Sequence, residues 1–221
     1  MAFSSTADFA LFSPHTPISF TVMSMVSLRD ILSLGAVSRG GYSACQEYLT
    51  TAWSFHRFFR KWFDDTKGLR NVLRLTGAVI SGSQALQFFE RTQYPNSDLD
   101  IFLQSNKLQI LVQWLLQSGY EFSSQRNYGF TLTPTGDIIP NARNIPPYPG
   151  EGEFNVYNFT RNTLSSSPSC STCSENNEEQ LVQLIVTNGD PMEHILTHFH
   201  SSTCSYFFLD FQSMLIFPQR Q

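Results

Sequence analysis

The spacing of apolar positions changes along the chain, and each change predicts an element. Residues 1–25 show no clear period and are interrupted by Pro14 and Pro17, so a loose arm is expected there. Ser27-Leu28-Arg29-Asp30 then matches a helix-start capping box in its Asp form, and Leu28, Ile31 and Leu32 follow at helical spacing. Gly35 and Gly40-Gly41 punctuate what comes next. Over 42–63 a long helix is predicted, because Cys45, Tyr48, Leu49, Ala52, Phe55, Phe59 and Trp62 fall on one face, with Asp64 and Asp65 ending it. A short helix is read over 66–74.

The period then shortens. The run Leu-Thr-Gly-Ala-Val-Ile-Ser at 75–81 reads as a buried strand, Gly82-Ser83 as a turn, and 84–91 as a short helix with Ala85, Leu86 and Phe89 inward. Pro95-Asn96 make a loop, and 98–103 form the next strand. Ser105 is read as the cap of a helix whose Leu108, Leu111, Val112 and Leu115 form an unbroken stripe, stopped by Gly119. Further strands are expected over 128–133 and 153–160, with a Pro-rich stretch between them. A Ser-rich polar stretch near 162–179 is read as a mobile loop, and 181–187 as an apolar strand. Asp190-Pro191-Met192-Glu193 is a helix N-terminus: Asp as cap, Pro first, Glu third, with Met192, Ile195, Leu196 and Phe199 on one face.

These elements divide the chain into an arm (1–25), a helical unit (26–72) and an α+β domain (73–221). Composition narrows the functions. Of 221 residues, 41% are apolar and only 14% charged, and the formal net charge is −4. Bulk electrostatic binding of nucleic acid is therefore not expected, since that needs a concentrated basic surface. The densest basic cluster, Arg57, Arg60 and Lys61, lies among aromatics and reads as the solvated side of a helix. There is no basic start to a leader and no apolar run long enough to cross a bilayer. Four cysteines in a chain of this length do not make a disulfide framework, so an intracellular protein, cytoplasmic or nuclear, with reduced thiols is expected.

The chemistry gathers between strand 75–81 and strand 98–103. A strand that delivers Gly82-Ser83 to a helix start offers free N–H groups and the positive end of the helix dipole to an anion. Glycine lets a phosphate approach the backbone, and Ser83 adds a hydroxyl. On the following strand Asp98 and Asp100, two residues apart, share a face, while Leu99 and Ile101 take the other. Two adjacent carboxylates repel one another, and a divalent cation removes that repulsion.

The segments Ser81-Gly82-Ser83-Gln84-Ala85-Leu86 and Ser97-Asp98-Leu99-Asp100-Ile101-Phe102 resemble the nucleotidyltransferase superfamily, the group with the DNA polymerase beta-like fold: Gly-Ser, a short helix, then Asp-x-Asp on the next strand. The stretch from Val79 to Phe102 also resembles a group of fungal proteins sharing this core. The resemblance implies a nucleotidyltransferase-like mixed sheet with flanking helices, Gly82 and Ser83 at a nucleoside triphosphate, and Asp98 and Asp100 at Mg²⁺ as metal-binding and catalytic residues. It also implies a third acidic residue on a later strand. Gln183 stands where that residue is sought, and Glu179 and Glu153 are the nearest substitutes. Without one, the expectation moves from nucleotidyl transfer to nucleotide binding without turnover, or to a non-catalytic interaction protein that retains the fold.

Two further patterns remain. Cys170 and Cys173 have the spacing of a zinc half-site, and His194 and His198 lie one helical turn apart; the alternative is that these histidines are simply solvated, off the apolar face of their helix. The run from Val26 to Leu34, followed by Ala36-Val37-Ser38-Arg39, resembles the second half of an F-box. That resemblance implies docking to a Skp-family adaptor of a ubiquitin ligase. The alternative is a helical hairpin packed on the α/β core.

Overall fold

The structure is a computed structural model of the 221-residue chain and describes residues 17–140, 154–163 and 178–198. It is a mixed α+β protein that divides into two compact units, one ending at Ser54 and one beginning at Phe55.

The first unit holds α1 (Pro17–Met25), α2 (Leu28–Val37) and α3 (Arg39–Ala52). The expected arm is thus helical from Pro17. Proline is tolerated at a first helical position, where its missing N–H would be unpaired anyway. Tertiary contacts supply the rest: Met23 is 1% exposed and Phe20 meets Tyr48 of α3 edge-on, ring centroids 5.5 Å apart. Ser27 caps α2 as its sequence predicts, accepting the Asp30 N–H at 3.2 Å, while its hydroxyl donates to Asp30 Oδ2 at 2.6 Å. Ser38 does the same for α3, accepting from Gly41 N at 3.0 Å. Ile31 is fully buried, and the Cys45 thiol donates to its carbonyl at 3.2 Å.

The long helix expected over 42–63 is broken. After α3 the chain turns at Trp53 and Ser54, and α4 is only Phe55–Phe59. Trp53 is buried and stacks edge-on against Tyr48 at 6.1 Å. Residues five apart point away from each other on a helix, so this contact requires the chain to leave it. The domain boundary accordingly falls at 54/55, not at 72/73. The helices α4 and α5 (Thr66–Thr76) belong with the sheet: Phe58 of α4 lies edge-on to Phe88, 5.1 Å between centroids, and α5 packs on α7 (Leu108–Gln117).

In the second unit five strands form one sheet in the order β1-β2-β7-β6-β3: β1 (Val79–Ser81), β2 (Leu99–Gln104), β3 (Glu121–Phe122), β6 (Phe154–Thr163) and β7 (Glu178–Thr187). The β2–β7 pair is parallel and the others are antiparallel. A separate ribbon pairs β4 (Phe130–Leu132) with β5 (Ile138–Pro140). Strand β1 is shorter than expected, because α5 runs on to Thr76 and ends at Gly77, whose φ of 66° makes the left-handed cap that glycine adopts without a Cβ penalty. The helices α6 (Gly82–Glu90), α7 (Leu108–Gln117) and α8 (Pro191–His198) complete the unit, with a 3₁₀ turn at Ser105–Lys107 where a Ser105 cap was expected. Leu111, Val112 and Leu115 of α7 are fully buried, as their stripe requires. Of the stretch 162–179 expected to be a mobile loop, 164–177 lies outside the described residues, while its ends, Asn162-Thr163 and Glu178-Glu179, are strand and pair with one another in the sheet.

Strand alternation gives the sheet two different faces. Ile80, Leu99, Ile101, Leu103, Val182, Leu184 and Phe159 project to one side, and all are fully buried. On that side Arg161 of β6 works as a clamp. Its guanidinium donates to the Trp62 carbonyl (2.6 Å), the Ser118 carbonyl (3.2 Å) and Gln180 Oε1 (3.1 Å), and lies 4.9 Å from the Tyr120 ring centroid. The Tyr120 hydroxyl stands within hydrogen-bond distance of the same Trp62 carbonyl (2.9 Å) and Gln180 Oε1 (3.1 Å). The other face carries Val79, Phe102, Ile185 and Val156, over which Ile195 and Met192 of α8 close.

Because one planar guanidinium satisfies three acceptors here, Arg161→Ala is expected to destabilise the fold by about 3 kcal/mol, and Arg161→Lys, which loses the fork, by nearly as much. Urea denaturation should show a lowered midpoint with little change in slope.

Candidate functional site

The second face of the sheet changes character at one register row. Val79 pairs with Phe102, which pairs with Ile185, which pairs with Val156; this row is apolar and lies under α8. The neighbouring row on the same face is Ser81, Asp100, Gln183 and Asn158. It is polar throughout, and it lies where β1 hands over to α6.

Gly82 begins α6 with φ of 73°, the left-handed region that glycine reaches freely. A Cβ at this position would collide with the carboxylate of Asp100, whose Cγ would be 3.1 Å away. The carboxylate therefore rests directly on the glycine Cα. The side chain of Ser81, at the cap position, makes no hydrogen bond to the helix end. The hydroxyl of Ser83, the second residue of α6, donates to the Asp98 carbonyl at 3.3 Å.

Asp100 is held in an unfavourable setting for its charge. Burial first, and the nearby charge of Asp98 second, raise its pKa from 3.8 to about 7. Among the described residues no hydrogen bond to its carboxylate offsets this. The two aspartates brought together by sequence reasoning are thus brought together in space, beside Gly82. Asp98 itself stands one position before β2 begins.

The register position beside Asp100, where a third acidic residue is sought, holds an amide. Gln183 pairs directly with Asp100 in the parallel ladder, and its Nε2 donates to Asn158 Oδ1 at 3.1 Å. Glu179 does not substitute. It sits four residues back along β7, roughly 13 Å by strand rise, and its carboxylate is tied to Arg126 Nη2 at 2.6 Å. Glu153 lies outside the described residues. The described residues contain no group of three or more His, Cys, Asp or Glu side chains arranged to hold a metal, so any cation here would be held by Asp98 and Asp100 with waters and the ligand's own oxygens. That donor set, hard oxygen and incomplete without phosphate, suits Mg²⁺.

The zinc arrangement is not assembled among the described residues. Cys170 and Cys173 lie outside them, as does the side chain of His198. His194 is buried rather than solvated, its ring 5.2 Å from that of Phe154 and 6.2 Å from that of Phe102. The inward stripe of α8 is Pro191, His194 and Ile195, with Leu196 exposed, because α8 lies across the Phe102 row. Asp190 caps the helix as expected, accepting from Met192 N at 3.0 Å.

Sequence reasoning missed the polar residues that surround the aspartates. Gln84 and Gln87, on the buried side of α6, both donate to Ser97 Oγ, at 2.6 and 2.7 Å. Asn127 is 2% exposed and exchanges hydrogen bonds with the backbone of Asn158 at 2.8 and 2.7 Å, taking over where β3 has ended. The available signal was two glutamines one turn apart on a helix face that also carries Ala85 and Phe88.

Two outcomes follow. A carboxylate with a raised pKa keeps its proton more readily in the folded chain, so its ionisation costs stability between pH 3.8 and about 7 and no further above. In chelator-treated protein the melting temperature of Asp100→Asn, minus that of the unsubstituted chain, should rise across that interval and then level off. Gly82→Ala should destabilise by about 2 kcal/mol through backbone strain and the displaced carboxylate. Asp100→Ala in the same chain should relieve the steric part, giving a non-additive double-mutant cycle.

Comparison of the chain with protein-family models, with curated proteins and with solved structures finds no match.

Proposed function

We propose that this is a nucleotidyltransferase-fold protein that binds a nucleoside triphosphate together with Mg²⁺. Gly82 and Ser83 meet the triphosphate, and Asp98 and Asp100 hold the metal. The observation that carries this reading is the Asp100 carboxylate resting on Gly82 at an uncapped helix start, without a hydrogen-bond partner among the described residues and with a second carboxylate nearby. A phosphate at the helix N-terminus would be repelled by these two charges alone. Bound Mg²⁺ would neutralise them and bridge to phosphate oxygens. The order of elements, strand, Gly-Ser helix, Asp-x-Asp strand and a parallel neighbour, agrees with the superfamily that the sequence resembles.

Gln183 favours binding without turnover. It occupies the register position beside Asp100, is neutral, and spends its N–H on Asn158. An amide cannot take a proton from an attacking hydroxyl.

The first unit supports a second role. Among its described residues Ile18, Met25, Leu32, Val37 and Tyr42 are large, apolar and more than half exposed. This is a high density of exposed apolar side chains for three short helices, and the capped α2–α3 pair is the part that resembles an F-box. On this reading the unit docks a Skp-family adaptor through α2, and the α+β unit serves as the ligand-binding module.

Calorimetric titration of the chain with ATP should show binding with Mg²⁺ and a loss of at least tenfold in Asp98→Asn/Asp100→Asn; equal binding by the two chains removes the metal site. The same samples should release no pyrophosphate, and Mg²⁺-dependent release from the unsubstituted chain would establish transfer instead. A purified Skp-family adaptor should be retained by the chain and lost on Leu32→Ser/Val37→Ser. No retention by the unsubstituted chain, or retention unaffected by the substitutions, removes F-box docking.

A further inference from the structure

Asp98 is the less supported of the two aspartates. The β1–β2 ladder ends at the Ser81–Asp100 pair, and the β2–β7 ladder begins at Leu99–Val182. Asp98 therefore lies outside both ladders, at the end of a loop that contains Pro95 and Asn96, the latter with φ of 58°. What fixes it comes from α6.

Ser97, the residue before Asp98, is held by a closed set of hydrogen bonds. Its Oγ accepts from Gln84 Nε2 at 2.6 Å and from Gln87 Nε2 at 2.7 Å, and donates to the Tyr94 carbonyl at 3.1 Å. The hydroxyl is thereby fully used, with one donor and two acceptor positions occupied. Gln87 grips the other end of the loop as well, its Oε1 accepting from Tyr94 N at 3.0 Å. Gln84 Nε2 also reaches the Ser97 carbonyl at 3.4 Å. Both glutamines are essentially inaccessible, at 0% and 1% exposure. In such surroundings these bonds are strong and the amides have nowhere else to turn. Ser83, at the start of the same helix, adds its bond to the Asp98 carbonyl. One helix thus carries the proposed phosphate turn at its first residues and, within its first turn and a half, the amides that hold the loop delivering Asp98.

We infer that Gln84, Gln87 and Ser97 are positioning residues, which fix the Asp98 carboxylate relative to Asp100 and to the head of α6 and so set the affinity for a divalent cation. This rests on the metal-binding reading of the site and adds residues that do not themselves touch the metal. Gln84 Oε1 is buried without a partner among the described residues. Gln84→Leu accordingly removes an unpaired acceptor together with the bonds to Ser97, and it should alter stability less than it alters the site.

The test uses Mn²⁺ as the probe, with free Mn²⁺ counted by electron paramagnetic resonance on the full chain and thermal melting on the same samples. Outer groups that orient metal ligands typically change affinity by 10–100-fold. Ser97→Ala, Gln84→Leu and Gln87→Leu are expected to weaken Mn²⁺ binding by about tenfold while still melting cooperatively, and Ser97→Thr, which keeps the hydroxyl, is expected to retain it. If all three variants bind Mn²⁺ as the unsubstituted chain does, while Asp98→Asn/Asp100→Asn does not, the positioning role is overturned and the metal site stands. If Asp98→Asn/Asp100→Asn also binds unchanged, or the unsubstituted chain does not bind, the metal reading falls and this inference with it. If one of the three variants fails to fold, the other two and Ser97→Thr carry the comparison.

Discussion

The register between β2 and β7 is the constraint on which the rest of this structure depends. It places Phe102 beside Ile185, under α8, and in the same stroke places Asp100 beside Gln183, one row outside that cover. Strand alternation makes the choice binary. A slip of one residue would carry Asp100 into the face where Leu99, Ile101, Val182 and Leu184 are fully buried, and no charge would survive there. The apolar positions of two strands thus decide where a carboxylate can stand.

Around that carboxylate the protein has spent stability. Asp100 is pushed against a glycine in the left-handed region, away from water and near a like charge. Among the described residues several other polar groups of the same unit are paired, although Gln84 Oε1 is not. Arg161 and Tyr120 converge on the Trp62 carbonyl, Asn127 completes the hydrogen bonding of Asn158, and Ser97 is saturated by two glutamines. A carboxylate without a hydrogen bond among the described residues, beside a like charge, is the feature on which the proposed metal site rests. The described helices include none long and apolar enough to cross a membrane.

The N-terminal helices follow a different logic. Their caps are local and strong, and among the described residues their apolar core is small: Met23, Ile31, Ala44, Cys45, Tyr48 and Trp53. So few buried side chains leave much apolar surface facing out, which is the physical basis for reading this unit as one that meets a partner.

By itself the sequence determined what depends on neighbours in the chain. The caps at Ser27 and Asp190, the apolar stripe of α7, the strand carrying Asp100 and the turn at Gly82 all follow from local spacing and local hydrogen bonds, and so does the class, α+β. Tertiary structure decided what depends on distant partners. Pro17 starts a helix because Phe20 finds Tyr48 of α3. The helix expected to run to 63 breaks at Trp53 because that ring folds back on Tyr48. His194 is buried because α8 lies across Phe102 and Phe154. The glutamine pair of α6 matters because a loop ten residues on offers Ser97 to it. Periodicity reports which side of an element is buried, but the identity of the covering group, and with it the charge state of Asp100, is set by residues that come close only when the sheet has formed.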